Sequence, residues 1–228
     1  MVDRDLNHIG FIMDGNATWA SQRSETPMSG YSAGIKAASD VVVAAKIRGI
    51  RYLTFYAFSS ENWGRPKIWI SDFMDLMARF FDNSDALRKM LDVGARIKVI
   101  GDRSRLSQKF QRIIDERETS SISNNEIFAQ IAISYGGRDD IVRAVKKMAE
   151  AGADFTEDNI SANLDTAGIP DPQLIVRTGN NRRLSNFLLW QSSYSEFYFS
   201  NALWPDFDDV ELDRAIHEFS RRKRTYGR

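Results

Sequence analysis

An aspartate, a glycine and an asparagine follow the first apolar run of the chain. Asp14 comes after HIGFIM at residues 8–13, and Gly15 and Asn16 open the segment GNATWA. A carboxylate at a strand end, beside a turn and the start of a helix, suits a phosphate group and the Mg²⁺ that accompanies it. The alternative is an aspartate that only caps the helix.

A second polar segment, SSENWGRP, occupies residues 59–66 and follows another apolar run. It combines the hydroxyl of Ser59, the amide of Asn62, the aromatic ring of Trp63 and the cation of Arg65. Pro66 keeps Arg65 extended, and the indole suits an apolar slot beside the polar groups. The alternative for Trp63 is packing in the core.

A third segment, RTGNNRRLSN, begins at Arg177 and carries two further arginines, Arg182 and Arg183, followed by Ser185. Guanidinium groups and a hydroxyl near a helix start make a diphosphate clamp. A solvated run of charges is the alternative. Because Arg177 ends an apolar strand, it needs an anionic partner there, and we favour an anion site.

Glu196 lies in QSSYSEFYFS at residues 191–200, at the start of an aromatic strand. A carboxylate is unfavourable to bury there unless it meets a cation or a metal ion. His8 and His217 are far apart in the sequence and lack metal-ligand spacing, so both are interpreted as structural.

Six short runs rich in strand-forming residues alternate with segments of helical periodicity. The runs are residues 8–14, 51–58, 95–102, 127–134, 173–178 and 196–200. This alternation predicts an α/β fold with a central parallel six-stranded sheet flanked by helices. Parallel sheets bind ligands beyond the carboxyl ends of their strands, so the polar segments are expected to share one crevice.

The composition limits the classes of partner and compartment. The 228 residues are 43% hydrophobic and 27% charged, which predicts one globular domain over residues 1–228. Lys+Arg and Asp+Glu both number 31, so no net charge attracts nucleic acid or an anionic membrane. The absence of cysteine excludes disulfides, thiolate metal sites and a cysteine nucleophile. Without a basic leader or a long apolar run, a cytoplasmic location is expected.

Five segments in this order and spacing resemble the cis-prenyltransferase family, of the undecaprenyl diphosphate synthase type. They are HIGFIMDGN, YLTFYAFSSENWGRP, KVIGDRSRL, YGGRDDI and RTGNNRRLSNFLLWQSSYSEFYFSNALWPDF. The resemblance implies an enzyme that condenses isopentenyl diphosphate with an allylic prenyl diphosphate to form Z-prenyl diphosphates. It also implies the family fold, Mg²⁺ and a homodimer, with membrane contact only through a lipid product.

The resemblance further implies a role for each conspicuous residue. The catalytic residues would be Asp14, Asn62, Trp63 and Arg65. The allylic diphosphate would bind Gly15, Asn16, Ala17, Thr18, Tyr31 and Ser59. The isopentenyl diphosphate would bind Arg177, Arg183, Ser185 and, from the tail of the partner subunit, Arg224. The metal would bind Asp14 and Glu196.

The sequence departs from the family where the allylic diphosphate is expected. Thr18, Pro27 and Tyr31 stand where relatives usually carry two arginines and a histidine. Two lost arginine contacts, at roughly 1.5 to 3 kcal/mol each, would weaken binding by about a hundredfold to ten-thousandfold. Arg23 is the nearest replacement, but helical phase places Gln22, not Arg23, on the face of Thr18. A local rescue by Arg23 is therefore not expected.

Three functions follow from these observations. The first is Z-prenyl chain elongation, with Mg²⁺ and backbone amides compensating for the missing arginines. The second is altered chemistry on the same fold, such as irregular coupling or cyclisation of a prenyl diphosphate. The third is a non-catalytic subunit of a heteromeric prenyltransferase, which the retained polar residues argue against. The isopentenyl clamp is better preserved, although Asn181 replaces a glutamate common in the family.

Overall fold

A single parallel sheet of six strands forms the centre of the chain in the computed structural model, which describes residues 6–222. The strands are β1 (His8–Ile12), β2 (Tyr52–Ser59), β3 (Ala95–Ile100), β4 (Ile127–Tyr135), β5 (Leu174–Arg177) and β6 (Glu196–Phe199). Their order across the sheet is β3-β4-β2-β1-β5-β6, and every neighbouring pair is parallel. The predicted fold class and all six predicted strands are confirmed.

Helices cover the sheet and connect its strands. They are α1 (Asn16–Gln22), α2 (Pro27–Ile47), α3 (Lys67–Asn83), α4 (Asp85–Asp92), α5 (Gln108–Ser120), α6 (Gly137–Ala151), α7 (Glu157–Asn163) and α8 (Asp209–Ser220). In α3, Phe73, Met77 and Phe80 are buried at helical spacing, because one apolar stripe faces the core. No helix within residues 6–222 combines the length and the apolar content needed to cross a membrane.

The register of the central strands fixes which residues reach the carboxyl edge of the sheet. All five residues of β1 are buried, as expected for a parallel strand covered on both faces. Ile12 pairs with Tyr56 of β2 on one side and with Arg177 of β5 on the other. Asp14 therefore emerges just beyond the level of Arg177, at the edge where the polar segments converge.

Helix α2 packs unusually close to the turn that follows β1. A Cβ atom at Gly30 would lie 2.0 Å from the backbone oxygen of Asn16, and one at Gly34 would lie 2.2 Å from the Asn16 side-chain oxygen. Trp204 also donates its indole N–H to the Gly34 carbonyl at 2.8 Å. The two glycines thus let the segment after Asp14 rest directly on the α2 backbone.

Candidate active site

A cavity of about 410 Å³ opens at the carboxyl edge of the sheet and collects most of the predicted site residues. The predicted site residues in its lining are Asp14, Gly15, Asn16, Ala17, Thr18, Tyr31, Ser59, Asn62, Arg65, Arg177, Arg183 and Ser185, most of which carry polar side chains. Its apolar lining includes Ile35, Ala38, Phe73, Met77, Phe80, Met90 and Ile131. A charged mouth therefore continues into an apolar interior between the sheet and helices α2 and α3.

Asp14 forms the anionic centre of the mouth. Its Oδ2 atom accepts hydrogen bonds from Arg177 Nη2 at 2.9 Å and from Asn181 Nδ2 at 2.7 Å. Its main-chain oxygen accepts from Thr178 Oγ1 at 2.7 Å. The N-cap of α1 is Gly15, in a left-handed conformation with φ 111, and no side chain caps the helix. The structure therefore does not support the alternative in which Asp14 serves only as the N-cap of helix α1.

Arg177 is nearly buried and joins the strand end to the loop that follows it. In addition to its ion pair with Asp14, its Nη1 donates to Ser185 Oγ at 2.9 Å and to the main-chain oxygen of Arg183. Its Nε is buried and has no hydrogen-bond partner within residues 6–222. A fixed cation thus lies beside the Ser185 hydroxyl in a cavity that Arg183 also lines, as an anion site requires.

Tyr56 supports the same loop from the neighbouring strand. Its hydroxyl lies 3.2 Å from the main-chain oxygens of both Tyr135 and Ser185, and its single O–H can donate to either. Burial, with a smaller contribution from the charge of Glu61, raises the pKa of Tyr56. The hydroxyl therefore stays protonated and serves as a donor that holds the loop.

The segment after β2 folds into a 3₁₀ turn over Ser60–Gly64. The Ser59 N–H donates to Asn62 Oδ1 at 3.1 Å, which places both residues on the cavity wall. Arg65 then stacks its guanidinium 4.1 Å from the centre of the Trp69 ring and donates from Nη1 to Tyr31 Oη at 3.2 Å. The sequence analysis missed Trp69, whose position in α3 marks it only as a half-buried aromatic.

Trp63, predicted as a catalytic residue beside an apolar slot, is not among the residues that line the cavity. Its indole N–H donates to Ser134 Oγ at 2.9 Å, its ring packs on Phe58 at 5.0 Å, and Arg105 stacks on it at 4.5 Å. The 3₁₀ turn directs the ring to the end of β4, away from the expected slot. These contacts agree with the packing alternative, and the catalytic role of Trp63 stays a prediction.

Glu196, predicted to bind the metal with Asp14, lies away from Asp14 within this chain, and its metal-binding role stays a prediction. Glu196 starts β6 and pairs with Leu174, whereas Asp14 follows Ile12, which is level with Arg177 at the other end of β5. In a parallel sheet the start of a strand lies at the edge opposite to its end, here about 10 Å away along β5 alone. Glu196 instead accepts from Arg222 Nη1 at 2.7 Å.

The remaining predicted cations are placed elsewhere or not described. Arg23 stacks 3.9 Å from the centre of the Trp19 ring and forms an ion pair with Asp206 at 3.5 Å. It is therefore engaged outside the cavity, in line with the expectation that it does not replace an arginine at position 18. Arg224 lies outside the described residues.

Comparisons with known proteins agree with this geometry. A family model described as putative undecaprenyl diphosphate synthase matches residues 12–227. An isoprenyl transferase of Chromobacterium violaceum is 44% identical over 222 residues, 97% of this chain and 88% of the relative. An isoprenyl transferase of Aquifex aeolicus is 41% identical over 222 residues, 97% of this chain and 95% of the relative.

Two solved structures share the fold. Lavandulyl diphosphate synthase from Lavandula x intermedia, solved with dimethylallyl diphosphate, has a TM-score of 0.91 and 32% identity over 97% of this chain and 98% of its own. A probable undecaprenyl diphosphate synthase from Campylobacter jejuni has a TM-score of 0.85 and 37% identity over 99% of this chain and 100% of its own. The match over almost the whole chain leads to one conclusion: this chain belongs to the undecaprenyl diphosphate synthase family of prenyltransferases.

Proposed function

We propose that the chain transfers an allylic prenyl group to isopentenyl diphosphate and forms Z-prenyl diphosphates in a Mg²⁺-dependent reaction. The proposal rests on one observation: groups suited to binding diphosphate and an apolar interior lie in the same cavity. The names of the curated relatives favour this elongation over irregular coupling or a supporting role. These names describe those relatives, and the transfer of their activity to this chain is our inference.

The isopentenyl diphosphate is assigned to the loop after β5. Arg177 and Ser185 are already joined by a hydrogen bond of 2.9 Å, so their donors are held in place before substrate binds. Arg183 lines the same wall. Fixed guanidinium and hydroxyl donors suit the several oxygens of a diphosphate. Arg224 and its role in a partner subunit stay a prediction.

The allylic diphosphate is assigned to the segment after Asp14. The first backbone N–H groups of any helix have no partner within that helix, so those at the start of α1 can donate to phosphate oxygens. The Thr18 hydroxyl and the residues Gly15, Asn16 and Ala17 line the cavity beside them. Because these donors are neutral, this site lacks the arginine charge usual in relatives.

Asp14 is the residue that would hold Mg²⁺. Its side chain is 36% exposed, and Mg²⁺ commonly binds one or two carboxylates together with substrate phosphates and water. Within residues 6–222 no group of three or more acidic, histidine or cysteine side chains could hold a metal ion. These residues therefore provide no complete set of metal ligands. The donor set therefore suits a metal ion that shares its coordination with a diphosphate. Bound there, Mg²⁺ would neutralise charge on the leaving diphosphate.

The chain's own residues orient the prenyl group and keep water from it. Phe73, Met77 and Ile131 line the interior, where an apolar chain is favoured over water. Breaking the C–O bond of the allylic substrate releases diphosphate and leaves an allylic carbocation, which water would otherwise trap. The terminal alkene carbon of isopentenyl diphosphate then forms a bond to this carbocation. Loss of a proton from the resulting cation completes the new double bond.

We also propose a homodimer in the cytoplasm. Strand β6 is an edge of the sheet, and its Phe197 and Phe199 rings stack at 6.2 Å, with Phe199 38% exposed. An edge strand with exposed aromatic rings suits pairing with another subunit. Light scattering of the purified protein tests the dimer, and a monomer at working concentration would contradict it.

The test of function is a product assay. Purified protein with Mg²⁺ is incubated with labelled isopentenyl diphosphate and starters of five, ten or fifteen carbons, and the products are identified by chromatography. Elongated Z-products support the proposal. A new skeleton formed from the starter alone would instead establish altered chemistry, and activity only with another chain would establish a supporting subunit.

A further inference from the structure

The cavity mouth holds an arginine whose position depends on two aromatic side chains. Arg65 contacts the Trp69 ring at 4.1 Å and the Tyr31 hydroxyl at 3.2 Å. The three residues come from three segments, since Tyr31 lies on α2, Trp69 lies on α3, and Arg65 lies between the 3₁₀ turn and α3. We propose that Tyr31 and Trp69 are positioning residues that hold Arg65 toward the allylic diphosphate. The inference rests on the proposed prenyl transfer.

Tyr31 is fixed by its own packing, so it can act as a support. Its ring meets Trp69 edge-on at 5.6 Å and Phe73 edge-on at 5.4 Å. Phe58 packs behind the same cluster, 6.1 Å from Trp69. The hydroxyl that meets Arg65 is therefore carried by a ring with little freedom to move, and the guanidinium it binds is restrained in turn.

The Arg65 backbone is restrained as well. Its N–H donates to the Asn62 carbonyl at 3.0 Å, and Pro66 follows it. With backbone and guanidinium both fixed, less conformational entropy is lost when an anion binds. Within residues 6–222 Arg65 forms no ion pair, unlike Arg177, which is paired with Asp14, so its charge is not neutralised by the protein.

The chemistry of a tyrosine suits this task. A phenol oxygen that accepts from Arg65 keeps its own O–H to donate to a phosphate oxygen. A protonated histidine at position 31 would instead repel the guanidinium. Arg65 thus supplies the charge missing at position 18, and the Tyr31 hydroxyl adds a neutral donor; both residues line the cavity together with Thr18.

The experiment compares Tyr31→Phe with Tyr52→Phe. The first variant keeps the ring packing and removes only the hydroxyl, while Tyr52 stacks on Phe128 at the opposite end of β2. We expect Tyr31→Phe to raise the KM for the allylic diphosphate about tenfold, as for a lost hydrogen bond to a charged group. The KM for isopentenyl diphosphate and the Tm stay at wild-type values, and Tyr52→Phe leaves both KM values unchanged.

A double-mutant cycle shows whether Tyr31 acts through Arg65. Binding of a non-reactive thiolo analogue of the allylic diphosphate is measured by calorimetry for Tyr31→Phe, Arg65→Gln and the double variant. If Tyr31 positions Arg65, its replacement has a much smaller effect once Arg65 is gone. Fully additive effects, or a Tyr31→Phe variant that binds the analogue as the wild type does, would overturn the inference. A wild type that elongates no starter would instead refute the proposed function.

Discussion

At the scale of single residues, the pairing of Asp14 with Arg177 decides what the cavity mouth can do. The carboxylate accepts from Arg177 and Asn181 on one oxygen and remains partly exposed. The arginine is buried and depends on that carboxylate for its only ion pair within residues 6–222. Each group therefore holds the other in a fixed orientation at the cavity mouth, where we propose that a diphosphate binds.

Replacing Asp14 by asparagine tests this pair. The amide keeps the size of the side chain but cannot neutralise a metal ion or Arg177, so we expect kcat to fall by roughly 10²–10³ or more. Asp115→Asn is the matched control, because that carboxylate pairs with Arg103 away from the cavity, at 3.1 Å. Steady-state assays of both variants provide the measurement, and an active Asp14→Asn enzyme would remove Asp14 from the mechanism.

Placing arginine at position 18 tests the location of the allylic diphosphate. Thr18 is exposed and lines the cavity, so a longer side chain has room to turn toward the mouth. A new charge-assisted hydrogen bond is expected to tighten binding of the starter by about tenfold or more. Calorimetry with the thiolo analogue measures the change, and unaltered affinity would show that the diphosphate binds elsewhere.

At the scale of elements, the close contact between α2 and the turn before α1 positions the segment that we propose binds the allylic diphosphate. Gly30→Ala would bring a methyl group within 2.0 Å of the Asn16 backbone oxygen, so one of the two elements must move. We expect a loss of about 1 to 3 kcal/mol in the free energy of unfolding, with weaker allylic binding. Urea unfolding measures the first effect. Ser32→Ala, on an exposed position of the same helix, is the control.

Helices α2 and α3 also form the wall between the active-site cavity and a groove open to solvent. Ile35 and Phe80 line both spaces, whereas Leu76 lines only the outer groove. Ile35→Ala is expected to open this wall and lengthen the products, because the growing chain gains apolar space. Chromatography of the products is the measurement. Leu76→Ala should leave product length as it is, and unchanged lengths in Ile35→Ala would locate the end of the chain elsewhere.

At the scale of the whole molecule, a buried histidine links the sheet to the segment before β5. His8 Nδ1 donates to the Pro170 carbonyl at 2.6 Å, and Nε2 lies 2.9 Å from Thr54 Oγ1. Burial, partly opposed by the Pro170 hydrogen bond, lowers the pKa of His8 from 6.5 to about 4. The structural interpretation of His8 is consistent with this position, far from the cavity mouth.

Stability should therefore depend on pH through His8. His8 binds a proton near pH 6.5 in the unfolded chain and only near pH 4 in the folded chain. The contribution of neutral His8 to the free energy of unfolding is therefore complete above pH 6.5 and is lost as the pH falls toward 4. The full loss is roughly 3 kcal/mol in the free energy of unfolding. Denaturant titrations at a series of pH values measure it. In His8→Asn the same acidic range should show a flatter dependence, and identical slopes would contradict this assignment.

Much of the fold could be predicted because its signals are local. Each strand appears as a short apolar run, and the helices repeat their apolar residues at helical spacing. Ligands bind at the carboxyl edge of a parallel sheet, and this rule predicted that Asp14, Arg177, Arg183 and Ser185 lie in one site. The same rule, applied to Glu196, would have placed it at the opposite edge, since it starts its strand. The interpretation of residues 1–228 as one domain stays a prediction.

By itself, the sequence determined the six parallel strands, the polar segments that follow them and the loss of arginine at position 18. Only the tertiary structure decided that Trp63 packs against Ser134, that Asn181 binds Asp14, and that Tyr31 and Trp69 hold Arg65. The physical reason is sequence separation. A side chain's partners come from elements that meet only when helices pack on the sheet, as with Asp14 and Asn181, which are 167 residues apart.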